Sequence, residues 1–99
     1  MKVFLSGRVS GLKPYQEAFA NAEIELLEMG YEVLNPAAGI DDMTEPEIMR
    51  RAINMLLDAE VVVMLPHWEQ SDAALIERHL ARKLGLPIWN QGTLPPLEI

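Results

Sequence analysis

Apolar residues along this chain alternate between short runs and longer stripes with helical spacing. Residues 15–29 place Tyr15, Ala18, Phe19, Ala22, Leu26 and Met29 on one helical face. The short apolar runs, each followed by Gly, Pro or a polar residue, are 2–5, 31–34, 61–65 and 87–89. The stripes between them are 15–29, 44–56 and 71–84. This pattern predicts four strands that alternate with three helices.

The predicted helix ends carry recognisable signals. Thr44 and Glu47 have the spacing of a capping box, which predicts the start of the second helix. Pro14 suits the first turn of the first helix, and Gly30 suits its end. Gly85 is expected to end the third helix.

Strands separated by helices predict right-handed crossovers and a parallel sheet covered on both faces. The unbroken apolar run 61–65 predicts a buried central strand. We therefore expect an α/β fold with three α/β/α layers, a sheet of about four strands in the order 2-1-3-4, and one domain spanning 1–99. The order reverses between strands one and three, so a ligand crevice is predicted there. The loops expected to border it are 6–11, 35–43 and 66–71.

Composition narrows the classes of function. The 99 residues are 49% hydrophobic, contain no cysteine and carry a net charge of −7. A disulfide framework and a thiolate metal site are excluded, and the negative charge argues against a nucleic acid polymer as partner. The apolar run 3–5 is too short for a signal peptide, and no segment has the length of a membrane span. We expect a cytoplasmic protein that does not bind membranes.

Glu77 is the unexpected residue of the third helix. The apolar positions Ala73, Ile76, Leu80, Ala81 and Leu84 predict the stripe that faces the sheet, and Glu77 falls inside it. A buried carboxylate needs donors, a cation or a raised pKa, and such a group can act as a nucleophile. Alternatively, Glu77 lies at the margin of the stripe and meets solvent, Arg78, Arg82 or a neighbouring chain.

Several residues near the predicted crevice could bind an anion or a planar base. Ser71 has the position of a helix N-cap, which is its simplest explanation, but the same geometry could also bind phosphate or carboxylate. The loop from Gly7 to Gly11 contains Arg8 and Ser10 and could wrap an anion. Trp68 could stack on a base or pack a loop or subunit interface. We predict no cofactor. We also predict no metal, because His67 and His79 lack the spacing of paired ligands.

Taken together, these segments resemble the nucleoside 2-deoxyribosyltransferase superfamily. The matching segments are Phe4-Leu5-Ser6-Gly7, Asn35-Pro36, 65–77 and 81–88. The resemblance is closest to a branch of small bacterial and phage proteins with the pattern L-P-G-W-x-x-S-x-G-A-x-x-E. It implies a flavodoxin-like or Rossmann-like fold and cleavage or transfer of the N-glycosidic bond of a nucleoside or its 5′-monophosphate. It also implies a homodimer or higher homo-oligomer.

The resemblance assigns roles to individual residues. It implies that Glu77 is the catalytic nucleophile, that Ser71 contacts the 5′ end of the substrate, and that Asn35 or Trp68 touches the sugar or the base. The remaining substrate-binding residues that it implies are Ser6, Gly7, Arg8, Ser10 and Gly11. Phe4 departs from the pattern, because the superfamily usually has a tyrosine there whose hydroxyl orients the glutamate. The family's glycine before the tryptophan is His67 here. The alternatives are a non-catalytic nucleotide-binding module on the same fold and a protein-interaction scaffold that uses Trp68 and the tail 89–99.

Overall fold

The computed structural model describes residues 1–8 and 14–97. These residues form four strands, three α-helices and one short 3-10 turn. The strands are β1 (Lys2–Ser6), β2 (Glu32–Leu34), β3 (Val61–Met64) and β4 (Ile88–Asn90). The helices are α1 (Pro14–Glu28), α2 (Glu45–Leu57) and α3 (Asp72–Lys83), and the 3-10 turn is Trp68–Gln70.

All four strands are parallel, and their order in the sheet is β2-β1-β3-β4. Val3 of β1 pairs with Val33 of β2 and with Val61 of β3, so β1 lies between them. Val62 pairs with Ile88, which places β4 at the other edge. The predicted strand order and the α/β flavodoxin-like fold are confirmed.

The sheet separates two apolar layers because side chains alternate along each strand. Val3 and Leu5 of β1 pack towards α1, in a cluster completed by the tail residue Leu94. Phe4 packs on the opposite face, where α2 and α3 cover the sheet. Ser6 lies two residues beyond Phe4 and is fully buried. The strand period therefore directs its side chain to the face of α2 and α3.

Local sequence fixes the starts of α2 and α3. Thr44 caps α2, and its side chain and that of Glu47 form the reciprocal hydrogen bonds of the predicted capping box. Ser71 caps α3, and its hydroxyl accepts a hydrogen bond from the backbone N–H of Ala74 at 3.2 Å. Gly85 follows α3 with φ of +74°, a conformation that favours glycine. None of the helices in the described ranges is long and apolar enough to cross a membrane.

One part of the helix prediction is wrong. Ile76 and Leu84 were expected to face the sheet, but they are 53% and 44% exposed. The buried face of α3 consists of Ala74, Glu77 and Ala81. The two alanines lie on either side of Glu77 along this face, and their small side chains let the helix approach the sheet closely. The sheet-facing stripe is therefore narrow and contains a carboxylate at its centre.

Candidate active site

A cleft of about 490 Å³ opens at the carboxyl edge of the sheet. Gly7 and Arg8 line it after β1, Pro36 lines it after β2, and Gln70 and Ser71 line it after β3. The remaining lining residues come from the first half of α2 and of α3. They are Glu45, Pro46, Ile48, Met49, Ala52, Asp72, Ala73, Ile76 and Glu77. This is the crevice that the strand order predicts, at the point where the order reverses between β1 and β3.

Glu77 lines this cleft although the residue is only 3% exposed. The hydroxyl of Ser6 donates a hydrogen bond to its Oε1 at 2.7 Å. Burial raises the pKa of Glu77 from the ordinary 4.5 to about 7, and the hydrogen bond from Ser6 acts in the opposite direction. Burial dominates because removing a carboxylate from water disfavours its charged form. Near neutral pH, Glu77 is therefore populated both as a carboxylic acid and as a carboxylate.

Phe4, which stands where the superfamily usually has a tyrosine, does not hydrogen-bond to Glu77. Phe4 is fully buried in the apolar layer beneath α2 and α3, and it has no polar group to offer. Ser6 lies one strand period further along β1 and donates the hydrogen bond instead. A hydroxyl still holds the carboxylate, but it comes from the last residue of the strand.

Ser71 stands at the N-terminus of α3, six residues before Glu77. Its Oγ accepts the N–H of Ala74, while a hydroxyl can accept and donate at once. Among residues 1–8 and 14–97, no acceptor receives a hydrogen bond from the Ser71 hydroxyl. Ser71 and the N-terminal amides of α3 can therefore interact with an acceptor group in the cleft, such as an alcohol or phosphate oxygen.

Charges of both signs surround the cleft. Arg8 is exposed and supplies a positive charge beside Gly7. Glu45 and Asp72, in the first turns of α2 and α3, supply carboxylates. The lining thus offers both donors and acceptors to a polar ligand. Among the described residues, no three His, Cys, Asp or Glu side chains form a group that could hold a metal ion, so no metal ligand is assigned.

Comparison with known proteins assigns the chain to a family. A family model described as "Domain of unknown function (DUF4406)" matches residues 1–90. The chain belongs to this family. No curated protein sequence matches the chain.

A solved structure resembles this DUF4406 chain along most of its length. It is a 2-deoxyribosyltransferase from Bacillus psychrosaccharolyticus, described as a biocatalyst for the synthesis of antiviral and antitumoral nucleosides. The TM-score is 0.68, with 14% sequence identity over 95% of this chain and 76% of the transferase. At this identity the likeness shows the shared fold. The predicted fold is supported, while membership of the superfamily and of its small bacterial and phage branch stays a prediction.

The structure of this DUF4406 chain brings together five of the predicted site residues. Gly7, Arg8, Ser71 and Glu77 all line the cleft, and Ser6 is hydrogen-bonded to Glu77. Gly7 is also required for close packing, because a Cβ on this residue would lie 2.9 Å from Cβ of Leu65. Ser10 and Gly11 lie outside the described residues.

Asn35 and Trp68 contact other parts of the chain. The side-chain amide of Asn35 donates to Oε1 of Glu23 at 2.9 Å, and its carbonyl accepts from the backbone N–H of Ala37 at 2.9 Å. It does not line the cleft, although its neighbour Pro36 does. Trp68 borders a separate cavity of about 380 Å³, and the guanidinium of Arg78 lies 4.9 Å from its ring centre.

The cleft-lining residues of α2 were not predicted from the sequence, which indicated only the capping box and the apolar stripe of this helix. They are Glu45, Pro46, Ile48 and Met49. Ile48 lies within the predicted apolar stripe 44–56 and is half-buried, because it also borders the cleft. The order of elements could have predicted these residues. In a parallel sheet, the helix that follows β2 begins at the same sheet edge as the helix that follows β3.

Proposed function

We propose that this DUF4406 chain cleaves or transfers the N-glycosidic bond of a nucleoside or its 5′-monophosphate, with Glu77 as the nucleophile. The observation that carries the proposal is the position of Glu77: a buried carboxylate of raised pKa, held by one hydroxyl, that borders a cleft at the switch point of a parallel sheet. The fold shared with a 2-deoxyribosyltransferase supports the same chemistry.

The free oxygen of Glu77 is suited to attack. Ser6 occupies Oε1, and within 1–8 and 14–97 no donor occupies Oε2. Glu77 borders the cleft, so Oε2 can approach a sugar carbon placed there. A carboxylate in such a low-dielectric site is also poorly solvated, which favours reaction with a developing positive charge.

In the first step, Oε2 of ionised Glu77 forms a bond to C1′ of the sugar, and the C1′–N bond breaks. The electron pair of that bond leaves with the base, which takes up a proton from water. The transition state resembles an oxocarbenium ion, and the carboxylate beside it stabilises the positive charge. The product is a glycosyl ester on Glu77 together with the free base.

In the second step, water or another base attacks C1′ and the ester C–O bond breaks. The electron pair returns to Glu77 as a carboxylate, and the attacking group loses its proton. Two displacements at one carbon retain the configuration of the sugar. Water gives hydrolysis, and an acceptor base gives transfer.

Groups at the entrance of the cleft bind the rest of the substrate. We assign Ser71, Arg8 and the amides at the start of α3 to the 5′ end, since hydroxyl, guanidinium and amide donors suit an alcohol or a phosphate. The domain is proposed to act as one unit over residues 1–99 and to form a homo-oligomer. Its cytoplasmic location stays a prediction.

A substrate panel tests the proposal. Wild-type protein is incubated with the common deoxynucleosides, ribonucleosides and their 5′-monophosphates, and free base is measured by chromatography. Glu77→Gln removes the nucleophile, and Glu28→Gln makes the same change at the exposed end of α1. The proposal predicts release by wild type and Glu28→Gln and none by Glu77→Gln.

Two other outcomes would contradict the proposed chemistry. Thermal stabilisation by a nucleotide with no base release, even at high protein concentration, would indicate a non-catalytic binding module. Neither stabilisation nor release would favour a protein-interaction scaffold.

A further inference from the structure

The side chains of Ser6 and Glu77 form a buried pair between β1 and α3. Ser6 is fully buried and Glu77 is 3% exposed, on the face of the sheet where the core residues are apolar. A buried polar group without a partner is costly, and among the described residues the Ser6 hydroxyl and Oε1 of Glu77 are partners of each other. The pair therefore fixes where the carboxylate can lie.

Ser6 is a rigid donor because its backbone is held on β3. It pairs with Met64 in the sheet register, and its carbonyl accepts the N–H of Leu65 at 2.8 Å. The next residue, Gly7, packs so tightly on Leu65 that a Cβ would not fit. The Ser6 hydroxyl thus starts from a fixed point at the end of the strand.

A carboxylate on a long side chain keeps one orientation only if a hydrogen bond from a fixed donor restricts it. The Glu side chain has three rotatable bonds, and its terminal torsion is broad. A single hydrogen bond to Oε1 defines that torsion and leaves Oε2 on the side away from the donor. Glu77 borders the cleft, so the oxygen that Ser6 leaves unoccupied is the one available to a ligand there.

We propose that Ser6 is a positioning residue, whose buried hydroxyl holds Oε1 of Glu77 so that Oε2 is aimed at the sugar carbon. This assignment rests on the proposed glycosyl chemistry. It differs from a substrate-binding role for Ser6, because the hydroxyl is covered by protein and is already engaged. The hydrogen bond acts before substrate arrives, so its loss should affect turnover rather than binding.

The charged groups around the pair come from three elements. Arg8 follows β1, Glu45 begins α2 and Asp72 begins α3, and all three line the same cleft as Glu77. They remain in place when Ser6 is replaced. A change in the pH profile of a Ser6 variant therefore reports the lost hydroxyl rather than a change in these charges.

The test compares Ser6→Ala, Ser6→Cys and Ser6→Thr with wild type on the substrate that gives the fastest base release. Alanine removes the donor, cysteine keeps the size with a weak donor, and threonine keeps the hydroxyl but adds a methyl group. Val62→Ala controls for loosened packing, because it truncates an apolar side chain of the same core layer. Each variant is measured for kcat and KM across pH and for its melting temperature.

Ser6→Ala should keep the wild-type KM, and its plateau kcat should fall about 10-fold, as expected for loss of a hydrogen bond to a charged group. Its acid limb should move to higher pH, because the bond that favours the ionised form is gone. Threonine should recover the most activity. Val62→Ala should melt earlier without moving the acid limb. A wild-type plateau kcat in Ser6→Ala overturns the proposal, whether or not the limb moves.

Failure of the glycosyl chemistry can be separated from failure of this assignment. If wild type releases no base, the proposed function fails, and the Glu77 carboxyl is then titrated directly by carbon-13 NMR in wild type and Ser6→Ala. A higher pKa in Ser6→Ala supports Ser6 as the group that holds Glu77. An unchanged pKa overturns it.

Discussion

The hydroxyl of Ser6 donates a hydrogen bond of 2.7 Å to the carboxylate of Glu77, across 71 positions of sequence. This contact joins the end of β1 to the second turn of α3, at a residue that lines the cleft. Through this contact, the fold of this DUF4406 chain affects the protonation of Glu77. Burial and this hydroxyl act on the pKa of Glu77 in opposite directions, and burial prevails.

The raised pKa of Glu77 predicts a pH dependence of stability. Between 4.5 and about 7 the folded protein binds a proton that the unfolded chain releases, so the free energy of unfolding should fall as pH rises through this window. Glu77→Gln removes the effect. Its stability relative to wild type should increase by about 3 kcal/mol between pH 4 and pH 8.

Urea unfolding at several pH values measures this difference, with Glu28→Gln as the control for an exposed carboxylate. If Glu77→Gln and wild type keep a constant difference across the window, the buried carboxylate does not titrate as described.

The same pKa predicts the pH profile of base release. A nucleophilic carboxylate acts only when ionised, so kcat/KM should be low below pH 6, rise through about pH 7 and level off above pH 8. Rates measured in overlapping buffers at constant ionic strength check this. A rate that does not fall below pH 6 would contradict the role of ionised Glu77 as the attacking group.

Much of the fold could be predicted from the sequence because the relevant signals are local. The apolar run 61–65 and the stripes between the strands predict the parallel sheet, and the Thr44–Glu47 capping box predicts where α2 begins. Each predicted boundary lies within one residue of the observed one, a difference that is ordinary at the ends of helices and strands.

The candidate site could be predicted only in part because its contacts are long-range. Helical spacing indicated that Glu77 is buried, but it also assigned Ile76 to the sheet, where Ala74 lies instead. The partner of Glu77 could not be read from the sequence, because a donor on β1 is defined by the register of the sheet and the rotation of α3. The superfamily that the sequence resembles usually has its hydroxyl donor at position 4, whereas the donor here, Ser6, lies two residues further along β1.

Ser71 should contribute to both stability and binding. Ser71→Ala removes the hydrogen bond to the N–H of Ala74 and should lower the free energy of unfolding by about 1 kcal/mol. It should also raise KM, because the hydroxyl is proposed to contact the 5′ end of the substrate. Thr44→Ala removes the equivalent cap of α2 and is the matched control for the stability loss alone.

Urea unfolding and steady-state kinetics on both variants separate the two effects. The binding role is refuted if Ser71→Ala and Thr44→Ala show the same KM.

His67 should be replaceable by glycine with a gain in stability. Its φ of +66° lies in the left-handed region, where an L-residue with a Cβ costs about 1–2 kcal/mol. His67→Gly should raise the free energy of unfolding by up to about 1 kcal/mol after the entropy cost of glycine is deducted. His67→Ala keeps the Cβ and should gain nothing. Thermal and urea unfolding of His67→Gly and His67→Ala measure this difference. Equal stability of the two variants would show that the backbone at residue 67 is not strained.

The proposed nucleophilic role of Glu77 requires a covalent ester with the sugar, which intact-protein mass spectrometry of a rapidly acid-quenched reaction detects. The expected result is a species heavier by one glycosyl group, mapped by peptide fragmentation to Glu77 and absent from Glu77→Gln. Base release by wild type without this adduct, and at the same rate in Glu77→Gln, would contradict it.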